Sequence, residues 1–404
     1  MIFSSIVPSP ITPAHRIANL RPTAVNHITQ QMRALQAQGR DVVSLMRGEP
    51  DLPTPVHIVE ACAKAMRNGR TGYPDNFGEK NFREAIAFKL DRDNGLRYNP
   101  ATEILATSGA TLGIEAALAA LINEGDEVLL PDPVYDAYHS PIRLYGGRVK
   151  MVPSPIVNGR FVLTAEALEA AYSPASRVLI LNTPWNPVGT VLTRAELATI
   201  AEFCVRRNVV LLSDEIYETI VYDGREHISP LAVLPELRER AVLINSLSKT
   251  YAMTGWRVGY CAGPVEILRS MFLVLAQSSR GPATFIQDAA AAALSGPQDC
   301  TIAMREEYAA RRAQVSAAMV GVPKVKLLEP EGGFFSMADV REIGLPSDEV
   351  RQRLLNDHGV CVAHGAAYGP TGEGTLRVSF ASGGATLAKG LDRLRAGLTA
   401  IGQS

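Results

Sequence analysis

The sequence predicts an α/β protein in which a large domain built on a mainly parallel sheet is joined to a smaller α+β domain. Three observations carry that expectation. Short runs rich in Val, Ile and Leu recur between helix-like segments from about residue 55 to 295: EVLLP (127–131), RVKMV (148–152), RVLILN (177–182), VVLLS (209–213), VLINS (242–246) and RVGYC (257–261). Near-continuous apolar runs of this kind suit strands covered on both faces. Glycines and prolines punctuate the alternation of strand-like and helix-like segments, the pattern of an α/β chain. The last hundred residues then change character, with a long charged helix around REEYAARRAQVSAAM, strand-like FFSMADV and TLRVSF, and a closing helix.

In chain order, the first helix is AVNHITQQMRALQAQG, where Val25, Ile28, Met32 and Leu35 stand at 3-and-4 spacing and Gly39 provides a stop. A short strand, DVVSLM, runs into RGEPD. Residues 1–50, too short for a core of their own, are expected as an arm that joins the small domain. Residues 51–295 form the large domain and 296–404 the small one. In the closing helix Leu387, Leu391, Leu394, Leu398 and Ile401 make a core-facing stripe.

Composition excludes several partners. Among 404 residues, 40 are basic and 41 acidic, so there is no electrostatic footprint for nucleic acid or an anionic membrane. No apolar run reaches the roughly 18 residues of a membrane span, and the N-terminal MIFSSIVPSPITPAH lacks a basic leader, so the expected location is the cytoplasm. Cys62, Cys204, Cys261, Cys300 and Cys361 form no CxxC pair and read as reduced thiols; no metal site is expected.

In open α/β sheets ligands bind beyond the carboxyl ends of the strands, which directs attention to residues 182–186, 214–217 and 246–249. Lys249, in SLSKTYAMTGWRVGY, follows a buried strand where desolvation lowers an ammonium's pKa and frees the amine as nucleophile and base. Arg257, in the same stretch, needs an anionic partner, and a phosphate offers a guanidinium a bidentate one. TSGATLG reads as a strand end, a glycine turn and a helix start, so the N–H groups of Ala110 and Thr111 can receive a phosphate. By itself it is equally a dinucleotide turn. Asp214 in SDEIY stands at a strand's carboxyl edge, where it can serve a ligand or cap a following helix with Glu215 in the first turn. In NTPWNPVGT the prolines hold Asn186 in a rigid turn. Arg377, in TLRVSF, is a guanidinium on an apolar strand.

Taken together, SLSK with Lys249, Tyr251 and GWRVG, preceded by GEPD (48–51), YPDNFGEKNFREAI from Tyr73, TSGATLG, PVYDAY, NTPWNPVGT and SDEIY and followed by TLRVSF, resemble the class I/II aminotransferases, the fold-type I enzymes that use pyridoxal 5′-phosphate (PLP). The resemblance covers nearly the whole chain. It implies a seven-stranded, mainly parallel sheet in the large domain and a PLP held by Lys249 as a Schiff base. It implies Gly109, Ala110, Thr111, Ser246, Ser248 and Arg257 at the phosphate, with Tyr73 reaching the phosphate of a neighbouring subunit in a homodimer with shared active sites. Asp214 would face the pyridine nitrogen, Tyr217 and Asn186 the ring's phenolic oxygen, and Tyr135 would stack on the ring. Gly48, Asn186 and Arg377 would bind substrate, Arg377 gripping the α-carboxylate.

The implied reaction is ping-pong transfer of an amino group between an L-amino acid and a 2-oxo acid, with 2-oxoglutarate and glutamate as one pair. Some aspartate-acting members carry a lysine where Thr111 stands, which weakens a strict aspartate assignment. Arg47 and Arg280 are two further cations that could take a distal carboxylate. The chain departs from the family at Trp185 and Val188, where asparagine or histidine and threonine are common. Within the same fold a β-eliminating C–S lyase is the nearest alternative. A PLP-binding regulator would need DNA-binding helices for which the family match leaves no room, and a nucleotide-dependent oxidoreductase on the GATLG loop leaves Lys249, Arg257 and Asp214 without roles.

Overall fold

The computed structural model describes residues 14–18, 20 and 22–403; the leader reading of the first residues lies mostly outside them. Seven strands form the central sheet in the order Ile104–Thr107, Gly259–Ala262, Ala241–Ser246, Val210–Asp214, Ser176–Asn182, Glu127–Asp132 and Arg148–Pro153. Every pairing is parallel except those of Gly259–Ala262, which runs antiparallel to both neighbours. Apart from Arg177, the three central strands are buried along their length, as their apolar runs require.

One expected strand starts later than its pattern suggests. RVGYC is strand only from Gly259, because Arg257 adopts a left-handed conformation (φ 53°, ψ 57°) that no strand accommodates. Gly259 itself is required by a close approach: a Cβ there would stand 2.7 Å from the Asn245 carbonyl oxygen and 3.0 Å from the carbonyl carbon of Gly109.

Helices cover both faces of this sheet. The helix Arg194–Arg207 shows how its ends are written in sequence: Thr193 and Glu196 close a capping box, and Asn208 ends it in the left-handed region. The C-terminal part holds a four-stranded antiparallel sheet, Lys326–Leu328, Phe335–Asp339, Thr375–Ser379 and Ala363–His364, against which Asp299–Met319, Ser347–His358 and Gly384–Gln403 pack. The stripe from Leu387 to Ile401 is buried there. The helix Ala24–Ala37 and the strand Val43–Ser44 precede the large sheet in sequence, yet Val43–Ser44 pairs in parallel with Val360–Cys361. The arm is therefore tied by hydrogen bonds to the C-terminal part. All five cysteines are free thiols.

Candidate active site

The carboxyl ends of Ser176–Asn182, Val210–Asp214 and Ala241–Ser246, the start of the helix Ala110–Leu121, and the loops after residues 46 and 134 surround one cleft of about 830 Å³. Arg377 and Phe335 enter it from the C-terminal sheet and the helix Ala24–Ala37 closes one side. Gly48, Ala110, Thr111, Tyr135, Asn186, Asp214, Tyr217, Ser246, Ser248, Lys249, Arg257 and Arg377 all line it.

Asp214 forms the floor. No helix follows it; residues 215–219 make a turn, so the capping reading of SDEIY is not realised. Its Oδ2 accepts from the Tyr138 hydroxyl at 2.5 Å, and its Oδ1 from the Ile216 N–H at 3.4 Å. Burial pushes the carboxyl up to about 6, against which the Tyr138 hydrogen bond works. Asn182 sets the local backbone: its Nδ2 donates to the Asp214 carbonyl at 2.9 Å and its Oδ1 accepts from the Asn186 N–H at 2.7 Å. Asn182 opens the stretch 182–186 and Tyr138 closes PVYDAY, but neither has a role assigned from sequence. Their signals were a second aromatic three residues after Tyr135 and an asparagine ending an apolar strand.

Lys249 stands across from Asp214 with its Nζ donating to the Gly48 carbonyl at 2.6 Å. Desolvation brings its ammonium down to about 8, with Arg257 and Arg377 working the same way and Glu49 and Asp214 opposing. An amine so placed is available as nucleophile and base near neutral pH.

At one end of the cleft, the helix Ala110–Leu121 begins against Arg257. The Arg257 guanidinium donates only to two carbonyls, of Thr254 at 3.0 Å and Ser108 at 3.4 Å, and pairs with no carboxylate among the described residues. Gly109, with φ 89°, allows the approach, since a Cβ there would lie 2.5 Å from Arg257 Nη2. Free N–H groups at a helix start, two serine side chains and an unneutralised guanidinium make a cradle that fits a phosphate.

At the other end Arg377 is 4% exposed, with its guanidinium carbon 4.3 Å from the Phe335 ring centroid and 4.8 Å from that of Tyr368. It donates to Asn186 Oδ1 at 3.3 Å and to the Met46 carbonyl at 3.2 Å, while its Nε has no partner. No carboxylate pairs with it among the described residues. A buried cation in that condition costs several kcal/mol, on the order of 3 to 5, until an anion arrives. The bidentate face of a carboxylate is the fitting ligand.

Some expected residues lie elsewhere. Tyr73 is 84% exposed and outside this cleft, with Arg280 stacked on its ring at 4.8 Å. Arg280 therefore does not reach the cleft of its own chain. Arg47 does line it, paired with Glu49 at 3.4 Å. Trp185 and Val188 are buried away from it; the Trp185 indole donates to the Pro133 carbonyl at 2.9 Å and so ties two cleft loops together. These two departures belong to the loop's packing.

Residues 40–394 match the family described as aminotransferase class I and II. An aspartate aminotransferase of Geobacillus stearothermophilus is 36% identical over 386 residues, 94% of this chain and 97% of that protein. An aromatic-amino-acid aminotransferase of Thermococcus litoralis is 39% identical over 363 residues, 89% and 92% of the two chains. The crystal structure of the aspartate aminotransferase from Rhizobium meliloti superposes with a TM-score of 0.92 at 33% identity, covering 96% of this chain and 99% of the other. None of the described helices is long and apolar enough to cross a membrane.

Proposed function

This chain belongs to the class I and II aminotransferases and is an enzyme of that kind, and from this premise we propose that it carries PLP on Lys249 and exchanges amino groups between an L-amino acid and a 2-oxo acid, with glutamate and 2-oxoglutarate as one pair. The observation that carries the reading is Arg377, buried, stacked between two aromatic rings and lacking a carboxylate, on the same cleft as a half-buried lysine whose amine is brought down to about 8. When bound, the protonated pyridine ring supplies an electron sink for the carbanion left at the substrate Cα.

The chain's own residues do the rest. Arg377 takes the substrate α-carboxylate with two parallel hydrogen bonds, and Asn186, whose oxygen already accepts from Arg377, keeps its amide N–H groups for the ligand. That grip orients the Cα–H bond towards Lys249, whose amine is placed to take up the Cα proton and to give one back in the other half of the exchange. Gly48, whose carbonyl accepts from Lys249 Nζ, holds the amine beside the bound substrate. Asp214 keeps the ring nitrogen protonated, and Tyr138 keeps Asp214 ionised by donating to it. Tyr217 and Asn186 donate to the phenolic oxygen, and Tyr135 covers the ring. The phosphate goes to the N–H groups of Ala110 and Thr111, with Gly109, Ser246, Ser248 and Arg257 around it.

The active unit is a homodimer in which the exposed Tyr73 serves the phosphate of a second copy. Arg47, which lines the cleft, is one candidate to receive a distal carboxylate, and Arg280, stacked on Tyr73, would accompany it to the cleft of the second copy as the other. Residues 51–295 act as the large domain, residues 296–404 with the arm before residue 51 as the small one, and the enzyme works in the cytoplasm on small molecules alone. A panel of amino donors against 2-oxoglutarate and pyruvate tests this: the expected product is a new amino acid in equal amount to the 2-oxo acid formed. Release of pyruvate and ammonia from a single sulfur-containing amino acid would mean a β-eliminating lyase instead.

A further inference from the structure

The segment leaving the Val210–Asp214 strand carries three carboxylates within five residues, Asp214, Glu215 and Glu218, and all three are buried. Asp214 faces the cleft. The other two enter a closed polar network beneath it. Glu215 Oε1 accepts from the Ser213 and Ser229 hydroxyls at 2.9 and 2.8 Å, and its Oε2 lies 2.7 Å from His227 Nε2. Glu218 Oε1 accepts from Lys89 Nζ and from Asn245 Nδ2 at 2.7 Å, and its Oε2 from Asn94 Nδ2 at 3.0 Å; Lys89 also donates to Asn94 Oδ1 at 2.8 Å. Glu215, Glu218 and His227 have the donor set of a metal centre, but Lys89 and the surrounding amides and hydroxyls already engage the oxygens.

A buried ion pair of this kind adds little net stability compared with a hydrophobic replacement, so its geometry is the informative part. The network joins the exits of two neighbouring strands. Asn245 is the joint: its Nδ2 donates to Glu218, and its Oδ1 accepts from the Ser246 N–H at 2.7 Å. A second link runs alongside, from the Thr219 hydroxyl to that of Thr250 at 3.2 Å. Asp214 has separate support from Tyr138 and Asn182, whereas Ser246 receives its support from Asn245.

We propose that Lys89, Glu218 and Asn245 form a positioning relay that sets Ser246 for the phosphate of the cofactor, independently of the ring site at Asp214. This rests on the reading of Ser246 as part of the phosphate cradle. The test measures the affinities of cofactor-free protein for PLP and for pyridoxal, which lacks the phosphate, in Asn245→Ala and Glu218→Gln. Glu218→Gln keeps the side-chain volume and carries the test if Asn245→Ala does not fold. The relay predicts that PLP affinity falls about tenfold, the equivalent of one hydrogen bond to a charged group, with pyridoxal affinity unchanged. Equal loss for both ligands, or no loss for PLP, overturns it. Unaltered protein that binds PLP no more tightly than pyridoxal would overturn the phosphate reading itself.

Discussion

The Tyr138 hydroxyl reaches Asp214 Oδ2 at 2.5 Å beneath the cleft, both groups being buried. Tyr138→Phe removes a donor that favours the ionised carboxylate, so the Asp214 carboxyl should rise above its value of about 6. The expected outcome is that the acidic limb of the PLP-binding profile moves to higher pH, with affinity at neutral pH reduced by about 1 to 2 kcal/mol. PLP titrations between pH 5 and 8 check it.

Asp214→Asn should separate stability from function. The folded protein holds the carboxyl at about 6 against an ordinary 3.8, so between those values it binds more protons than the unfolded chain. Stability therefore falls as pH climbs through that window, by on the order of 3 kcal/mol. The cofactor-free variant should melt higher than the parent at pH 7 and equally below pH 4. Its turnover should drop by roughly a hundredfold to a thousandfold, because the ring nitrogen loses its anionic partner.

Arg257→Ala should weaken PLP retention while leaving turnover near normal at saturating PLP. Arg377→Ala should do the reverse, raising KM for every 2-oxo acid while PLP stays bound. An effect of about 3 to 5 kcal/mol is expected there, since no carboxylate among the described residues pairs with the guanidinium and the proposed partner is the substrate carboxylate. PLP binding and steady-state kinetics on both variants separate the two ends of the cleft.

Arg47→Ala should raise KM for 2-oxoglutarate and leave that for pyruvate unchanged. Because Arg47 is half-exposed and already near Glu49, the expected effect is modest, about 1 kcal/mol. Equal KM changes for both oxo acids would remove Arg47 from specificity.

Much of this site was legible in sequence because its residues end strands. Asp214, Asn186 and Lys249 follow apolar runs that could only be buried strands, so their place at one sheet edge followed from the α/β pattern. Arg257 was legible as a cation needing an anion, but its left-handed backbone was not, since RVGYC reads as uninterrupted strand. The roles of Tyr138 and Asn182 were not legible because their partners, Asp214 and the Asn186 N–H, are distant in sequence or set by a turn. Lys89 reads as one more charge on the helix Lys80–Asn94; only the packing of that helix against the turn after Asp214 reveals its burial with Glu218. Arg280 sits with Tyr73 outside the cleft of its own chain, so any part it takes depends on a second copy, whose position no single-chain pattern encodes.

The claim on which all of these depend is that Lys249 carries the cofactor. Protein loaded with PLP, reduced with borohydride, digested and mapped by mass spectrometry should show one pyridoxyl phosphate group, on the peptide containing Lys249. A label on another lysine, or no label after loading, would contradict it.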